Sequence, residues 1–348
     1  MAISDCLAPC AKRRRHDTVR LFARYGNMSR RKAQRVLMHL TSEDEAVYDC
    51  ILRRIAHDLS EEIREERVVL PSVRQDWRED GSSGKKRLIT VLDVKQLLLD
   101  HVAVFCLEEL SKRIGKYQVS SIVGRGATFG MKAVKKWLKN KRMKYSVKLD
   151  IKNFYGSVDR GLLMEWLGKH IKNAKLMHLI GVLISNIDEG IAIGSYLSQT
   201  LANIYLSDIY HAVDVPHKLF YMDDMLFLHT NKRKLKRAVA IAVEKAAELG
   251  LRVKTNWCVN KISKNNPIDM MGFRFSHYLT TMRKRVFKRF RRVVLHSLRS
   301  RHLTKKQARR VNSFGGFLKV TDLKKFTNGN KVQRVLHHAG LVVSKVDG

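Results

Sequence analysis

The stretch KLFYMDDMLFLHT, residues 218–230, sets Asp223 and Asp224 side by side in an apolar run. Leu219, Phe220, Tyr221 and Met222 precede them, and Met225, Leu226, Phe227 and Leu228 follow. Two β-rich runs around a short polar pair read as a hairpin, and aspartate tolerates turn geometry. Adjacent carboxylates repel each other, however, and isolated charge is costly to bury. An Asp-Asp pair by itself reads as an ordinary exposed turn. Apolar flanks on both sides argue for something more.

A third acid strengthens the case. In KYSVKLDIKNFYGS, Asp150 ends an apolar strand, 73 positions before Asp223. A strand-terminal aspartate beside a hairpin bearing two more makes a carboxylate cluster, which is stable only when cations neutralise it. Hard oxygen ligands of this kind suit Mg²⁺, which binds through one or two carboxylates together with substrate phosphates. Two such ions about 3.5–4 Å apart promote in-line displacement at phosphorus.

Composition points to the partner. Lys plus Arg is 68 against 32 acids, a formal net charge of +36 in 348 residues. A chain this basic repels itself unless it meets a polyanion, and nucleic acid is the leading one. The total alone also fits a ribosomal or chromatin-like binder. Its distribution is sharper. No Asp or Glu occurs from Met270 to Thr321, while RKRVFKRFRRVV and KKQARR fall within residues 283–310. Such a run cannot neutralise itself by i,i+4 pairing. Phe287 and Phe290 interleave with its cations, which predicts a nucleic-acid-contacting face bearing Lys284, Arg285, Lys288, Arg289, Arg291 and Arg292.

The hydrophobic content of 45% is enough for two or three packed subdomains. No stretch approaches the roughly 18–20 uncharged apolar residues of a membrane span. The N-terminus lacks the apolar core of a signal peptide, and five scattered cysteines suit a reducing compartment. A soluble, cytoplasmic protein without membrane partners is expected. Cys6 and Cys10 lie close together, but no second ligand pair follows at zinc-finger spacing, which argues against a metal there.

Periodicity predicts helices over residues 17–67, with the longest starting at Ser42, and a hairpin around EDGSSG (79–84). A helix is expected from Asp93 to Arg113, then a glycine-punctuated loop QVSSIVGRGATFG (118–130) and a helix after it. Beyond the strand ending at Asp150, helices fill 160–186 and follow the loop EGIAIGSYLSQ. After the Asp-Asp hairpin come an amphipathic helix ending at Gly250, a strand LRVKTNW, a strand MMGFRF and a basic helical tail. This order is α+β, with a small antiparallel sheet carrying the acids.

These residues resemble the reverse transcriptases. YMDD at 221–224 is similar to their Y-x-D-D signature, and LDIKNFYGSVD (149–159) to their first catalytic block. GIAIGSYLSQTLANIYL (190–206) resembles the next block in its bacterial form. GKKRLI (84–89) looks like the fingers strand, SSIVGRGATFG like the template and nucleotide loop, LGLRVK like a later palm block, and MMGFRF (270–275) like the primer-grip strand. SFGGFLKVTD (313–322) is similar to a thumb segment of bacterial members. Order and spacing match from about residue 65 to 325. The nearest resemblance is to bacterial or phage enzymes of diversity-generating retroelements and to defence-associated, retron-like ones.

The resemblance implies a right-hand polymerase: an N-terminal helical extension (1–64), fingers (65–145), a palm with interleaved helices (146–275) and a basic thumb (276–348). It implies an RNA-directed DNA polymerase, a nucleotidyltransferase using two Mg²⁺ ions, with Mn²⁺ as a substitute. Asp150, Asp223 and Asp224 match the catalytic, metal-binding carboxylates, and Ile151 a position whose carbonyl completes the metal shell. Tyr155 matches the steric gate that excludes a 2′-hydroxyl; a strand-end core aromatic is the alternative. Lys86, Arg87 and Arg125 are candidates for the triphosphate or for template phosphate, and Lys254 for the acid that protonates pyrophosphate. Gly194 and Gln199 fall in the loop under the incoming base pair, and Gly272 and Phe273 in the primer grip. Ala192 stands where many relatives have proline. Ile193 before Gly194 is a pattern of retroelement and some defence enzymes, and implies low fidelity.

Implied partners are template RNA, cDNA product and deoxynucleoside triphosphates, with a small accessory protein or a dedicated non-coding RNA. A diversity-generating retroelement is the leading context, and an antiviral-defence or retron-like role the alternative. No RNase H, endonuclease or maturase-sized extension is expected after the thumb. A palm that only binds RNA would have lost a metal carboxylate, and none is lost. An RNA-dependent RNA polymerase is disfavoured by Tyr155, because such enzymes need a small residue there.

Overall fold

The computed structural model describes residues 1–38, 41–79, 86–300, 302–323 and 330–347. Five helices open the chain: α1 (Ala2–Leu7), α2 (Cys10–Arg13), α3 (His16–Tyr25), α4 (Arg30–Leu37) and α5 (Ser42–Arg64). α5 starts at Ser42 as expected, capped by Thr41, whose side chain accepts from the Asp44 amide at 3.1 Å. β1 (Arg74–Glu79) and β2 (Lys86–Val91) pair antiparallel as expected. Their turn, residues 80–85, lies outside the described residues, and with it part of GKKRLI.

Next come α6 (Val94–Cys106), α7 (Glu108–Ser111) and α8 (Ala127–Leu138), so the helix expected from Asp93 to Arg113 breaks at Leu107. β3 (Tyr145–Asp150) is followed by α9 (Phe154–Ser157), α10 (Arg160–Gly168), α11 (Ala174–Ser185), α12 (Tyr196–Tyr205) and α13 (Ser207–Ala212). β4 (His217–Tyr221) and β5 (Asp224–His229) form the hairpin, and α14 (Lys232–Glu248) follows. β6 (Asn260–Lys261) joins the central sheet, whose order is β4-β5-β3-β6. β7 (Ile268–Met270), β8 (Phe273–Phe275) and β9 (Thr280–Met282) make a separate three-stranded sheet. Helices α15 (Lys284–Arg299), α16 (Lys305–Val320) and α17 (Asn330–Asp347) end the chain.

The central sheet is covered on both faces, which explains the unbroken apolar run of β5. Side chains alternate across a strand. Val147, Leu149, Phe220, Met225 and Phe227 enter the larger core, while Leu219, Leu226 and Leu228 enter a second one with α8, β7 and β8. Ile3, Cys6, Leu7, Phe22 and Ile55 share the larger core with Leu97–Leu99, so the first helices pack on α6 instead of standing apart.

Two expectations about strands fail. LRVKTNW forms no extended strand: only Val253 bridges, to Ile151. MMGFRF is not one strand but the turn of the β7–β8 hairpin, since Met271 (φ +54°) and Gly272 (φ +84°) are both left-handed. Alternation alone could not show that reversal. The basic tail is also divided. Thr304 and Gln307 form a capping box that restarts the helix as α16, and α15–α17 share their own apolar core.

Candidate active site and nucleic-acid interface

β3 and β5 run antiparallel in a register that places Asp150 directly opposite Asp224. Asp223 occupies the turn with Met222, whose φ of +54° is uncommon for a residue with a side chain. All three acids therefore gather at one end of the central sheet's inner strands. Asp223 carries the strain of that arrangement. Burial first, then the charges of Asp224 and Asp150, raise its carboxyl to about 6, with Arg87 acting in the opposite direction.

Two lysines meet the other acids. Lys254 Nζ lies 2.6 Å from Asp150 Oδ2, and the Lys254 amide donates to the Asp150 carbonyl at 2.8 Å. Lys148 Nζ lies 2.9 Å from Asp224 Oδ1. Lys148 was absent from the residues expected at the site. Its signal was strand alternation: two positions before Asp150, it shares that residue's face and sits diagonal to Asp224.

Among the described residues, no three His, Cys, Asp or Glu side chains stand together as a ready-made metal set. The donor chemistry nevertheless fits a hard divalent cation, because three mutually repelling carboxylates share one end of these strands and one has its ionisation opposed by the others. Ile151 is buried next to Asp150 and pairs with Val253.

Tyr155 follows on the α9 turn. Burial, and then the Asp223 charge, push its phenol well above the usual range, with Arg87 opposing. Tyr155, Asp223 and Arg87 thus share one electrostatic neighbourhood. Arg87 reaches it from β2. Neighbouring strand residues point to opposite faces, so Lys86 is directed away from Arg87's side and is exposed. Arg125 is half-buried. Its Nη1 donates to the carbonyls of Gly115 (2.7 Å) and Gln118 (3.0 Å), so its guanidinium ties the base of the 118–126 loop together.

The loop before α12 is set by backbone contacts. The Ile191 amide donates to the Tyr155 carbonyl, and the Thr90 amide to the Ile193 carbonyl, both at 2.9 Å. Gly194 has φ +118°, and a Cβ there would come within 2.8 Å of the Thr90 carbonyl oxygen. Ala192 is buried in this loop, and Gln199 is half-buried on α12. Gly272 accepts from the Arg283 amide at 2.8 Å. Phe273 is buried and stacks on Phe317 at 5.1 Å, so its ring links β8 to α16, while β8 itself is paired on both sides by β7 and β9.

On α15, Lys284, Arg285, Lys288, Arg291 and Arg292 are exposed. Arg289 is half-buried and faces Glu79 at 3.7 Å. Phe290 is fully buried against Phe314, so it serves the helical core and not a nucleic-acid face. Cys6 is buried with its thiol 3.5 Å from the Leu97 carbonyl, and the Cys10 side chain lies outside what is described.

The sequence model of the family described as reverse transcriptase (RNA-dependent DNA polymerase) matches residues 77–275. This chain belongs to the reverse transcriptase family. Its fold is the α+β right-hand polymerase fold, with an antiparallel sheet carrying the acids and a basic helical end. Members of the family generally use divalent metal ions. No curated protein matches the chain. Among solved structures, telomerase from Candida albicans in complex with a fragment of telomeric RNA is 13% identical, with a TM-score of 0.48 over 79% of this chain and 56% of that one. Apo telomerase from Candida tropicalis is 13% identical, with a TM-score of 0.48 over 80% and 60%. Its form truncated from the C-terminal domain is 14% identical, with a TM-score of 0.46 over 62% and 56%. The chain spans a little over half the length of these structures.

No helix among the described residues is long and apolar enough to cross a membrane.

Proposed function

We propose that this chain is an RNA-directed DNA polymerase that copies a dedicated RNA template into cDNA from deoxynucleoside triphosphates. The observation that carries the reading is the register of Asp150 opposite Asp224, with Asp223 in the turn between β4 and β5 and in one electrostatic neighbourhood with Tyr155 and Arg87. Fingers (65–145), palm (146–275) and thumb (276–348) follow the family's order, with residues 1–64 bracing the fingers and palm core.

Asp150, Asp223, Asp224 and the Ile151 carbonyl would hold two Mg²⁺ ions, which activate the primer 3′-hydroxyl and stabilise the departing pyrophosphate. The chain's own residues do the rest. Tyr155 bars a 2′-hydroxyl by contact with the sugar. Arg87 meets the triphosphate with a fixed positive charge. Lys254 Nζ, held beside Asp150, gives a proton to the pyrophosphate oxygen. Gly194 and Gln199 support the new base pair, the Gly272 backbone guides the primer, and the exposed cations of α15 bind the duplex backbone.

The Ile193-Gly194 pair supports a low-fidelity enzyme of a diversity-generating retroelement, working in the cytoplasm with a small accessory protein. The test is primer extension on RNA with Mg²⁺, comparing deoxy- and ribonucleotides, with Asp223→Asn as control. Deoxynucleotide extension lost in that variant is the expected result. Tight RNA binding without extension, even with co-purified native RNA, overturns the reading in favour of a binding protein. A structured RNA copied in preference to generic templates would move the context to a retron-like system.

A further inference from the structure

One face of α6 is polar where it should be apolar. Leu97, Leu98, Leu99 and Ala103 of this helix are buried in the main core, yet Gln96 and Asp100 are buried with them, at 2% and 0% exposure. They lie four residues apart and so project from the same face, one turn above the other. Burying a carboxylate needs a compensating return.

Both side chains bond to one stretch: the end of α11, the connection after it and the start of α12. Gln96 Nε2 donates to the Leu183 carbonyl at 3.1 Å, and its Oε1 accepts from Asn186 Nδ2 at 2.7 Å. Asp100 Oδ2 accepts from Ser195 Oγ at 2.7 Å and from the Tyr196 amide at 3.2 Å. Ser195 is the N-cap of α12 and accepts in turn from the Ser198 amide at 3.0 Å. Its hydroxyl therefore donates to Asp100 while capping the helix. The Asp100 Oδ1 atom makes no direct bond. The His101 ring lies 4.5 Å from that of Tyr196, closing the same contact from the next position.

The segment so gripped carries Ile191, Ile193 and Gly194, which meet Tyr155 and Thr90 through their backbones. Arg160 also holds the start of the connection, donating to the Ile184, Ile187 and Asp188 carbonyls, while at its α12 end the side-chain grip comes from Asp100. We infer that Gln96 and Asp100 form a staple that positions the loop 186–196, and that Asp100, through Ser195, sets how the incoming base pair is held. The second half of this statement rests on the proposed function, and the first does not. Burial raises the Asp100 carboxyl to about 6, which agrees with a group kept for its bonds at a cost in stability.

The experiment follows amide hydrogen exchange in peptides covering 186–199 and, separately, steady-state extension with correct and incorrect deoxynucleotides. The variants are Asp100→Ala, Asp100→Asn, Ser195→Ala and Gln96→Leu in the full chain. Losing a bond to a buried charge should speed exchange in the loop about tenfold in Asp100→Ala, while β3–β5 peptides stay protected. The same variant should raise the KM for the correct nucleotide by about tenfold with kcat changed little, and narrow discrimination against mismatches. Asparagine keeps an acceptor oxygen and should restore most of both effects. Ser195→Ala should resemble Asp100→Ala and add little to it.

Unchanged loop exchange in all four variants overturns the staple. So does uniform loss of protection across the palm with kcat and KM falling together, which marks Asp100 as general core. If Asp100→Ala does not fold, Ser195→Ala and Asp100→Asn decide by the same readouts. If the wild type extends no primer, the proposed function fails while the exchange result still decides the staple.

Discussion

Gly194→Ala is the perturbation whose consequence follows most directly from the geometry. Gly194 has φ +118°, and an added Cβ would stand 2.8 Å from the Thr90 carbonyl oxygen. That oxygen belongs to backbone, and its residue is tied to the loop by the 2.9 Å bond from the Thr90 amide to the Ile193 carbonyl. A side chain forced into this conformation costs about 1–3 kcal/mol. Relief by moving the loop away from β2 sacrifices that hydrogen bond, worth about 1 kcal/mol net. The sum, about 2–4 kcal/mol, is a substantial part of a typical margin of roughly 5–15 kcal/mol. Thermal unfolding should move down by roughly 5 °C, with the protein still folded at 25 °C. The displaced loop should raise the KM for deoxynucleotides by about tenfold in primer extension, with a smaller change in kcat. A variant that melts within about 1 °C of wild type and keeps its KM would refute both the strain argument and the placement of this loop under the nucleotide.

Three further outcomes follow from separate parts of the molecule. Phe290→Ala removes a fully buried ring packed on Phe314 and should cost about 3–5 kcal/mol, read as loss of the α15–α17 bundle in exchange or melting experiments. Arg291 and Arg292 are exposed on α15, and changing each to Gln should lower the slope of log K against log salt for RNA–DNA duplex by about 1 per residue without altering sequence preference. Burial raises the Asp100 carboxyl from 3.8 to about 6, so the stability this group contributes is complete below about pH 4 and is lost as pH rises through about 6, by ~3 kcal/mol in all. Asp100→Asn has no such titration, and its melting temperature relative to wild type should improve between about pH 4 and pH 7.5. A difference constant with pH contradicts the raised carboxyl.

The sequence was legible where local pattern and tertiary packing agree. The β4–β5 hairpin and the strand ending at Asp150 could be read because apolar runs flank the acids on both sides, and the register then brings Asp150 opposite Asp224. Patterns failed where a reversal or a contact depends on distant chain. MMGFRF reads as one strand, yet Met271 and Gly272 turn it back on itself. Phe290 reads as a stacking aromatic among cations, yet it faces Phe314 on a helix whose separate start could not be foreseen. The bonds from Arg125 Nη1 to the Gly115 and Gln118 carbonyls had no signal in its glycine-rich setting, because they depend on how the loop closes on itself. Asp100 was lost in the apolar run LLLDHV, where one polar residue looks like a helix's solvent face.

The opening puzzle of paired aspartates in an apolar strand is resolved by what surrounds them. Asp223 pays for its position with a raised carboxyl, because burial and two like charges oppose ionisation. Asp150 and Asp224 are each met by a lysine, Lys254 and Lys148. Lys148 is fixed in β3 by its register, and Lys254 by a backbone bond to Asp150 itself, so neither charge rides on a mobile loop. Each pair is about one-third exposed, which keeps its attraction modest and reversible in water. Weak pairs of this kind can hold two carboxylates in place and still yield them to a more highly charged cation. Strong, fully buried pairs would fix the acids and withhold them. Under the proposed function, the partial exposure of the lysines is what leaves the acids accessible to the metal ions.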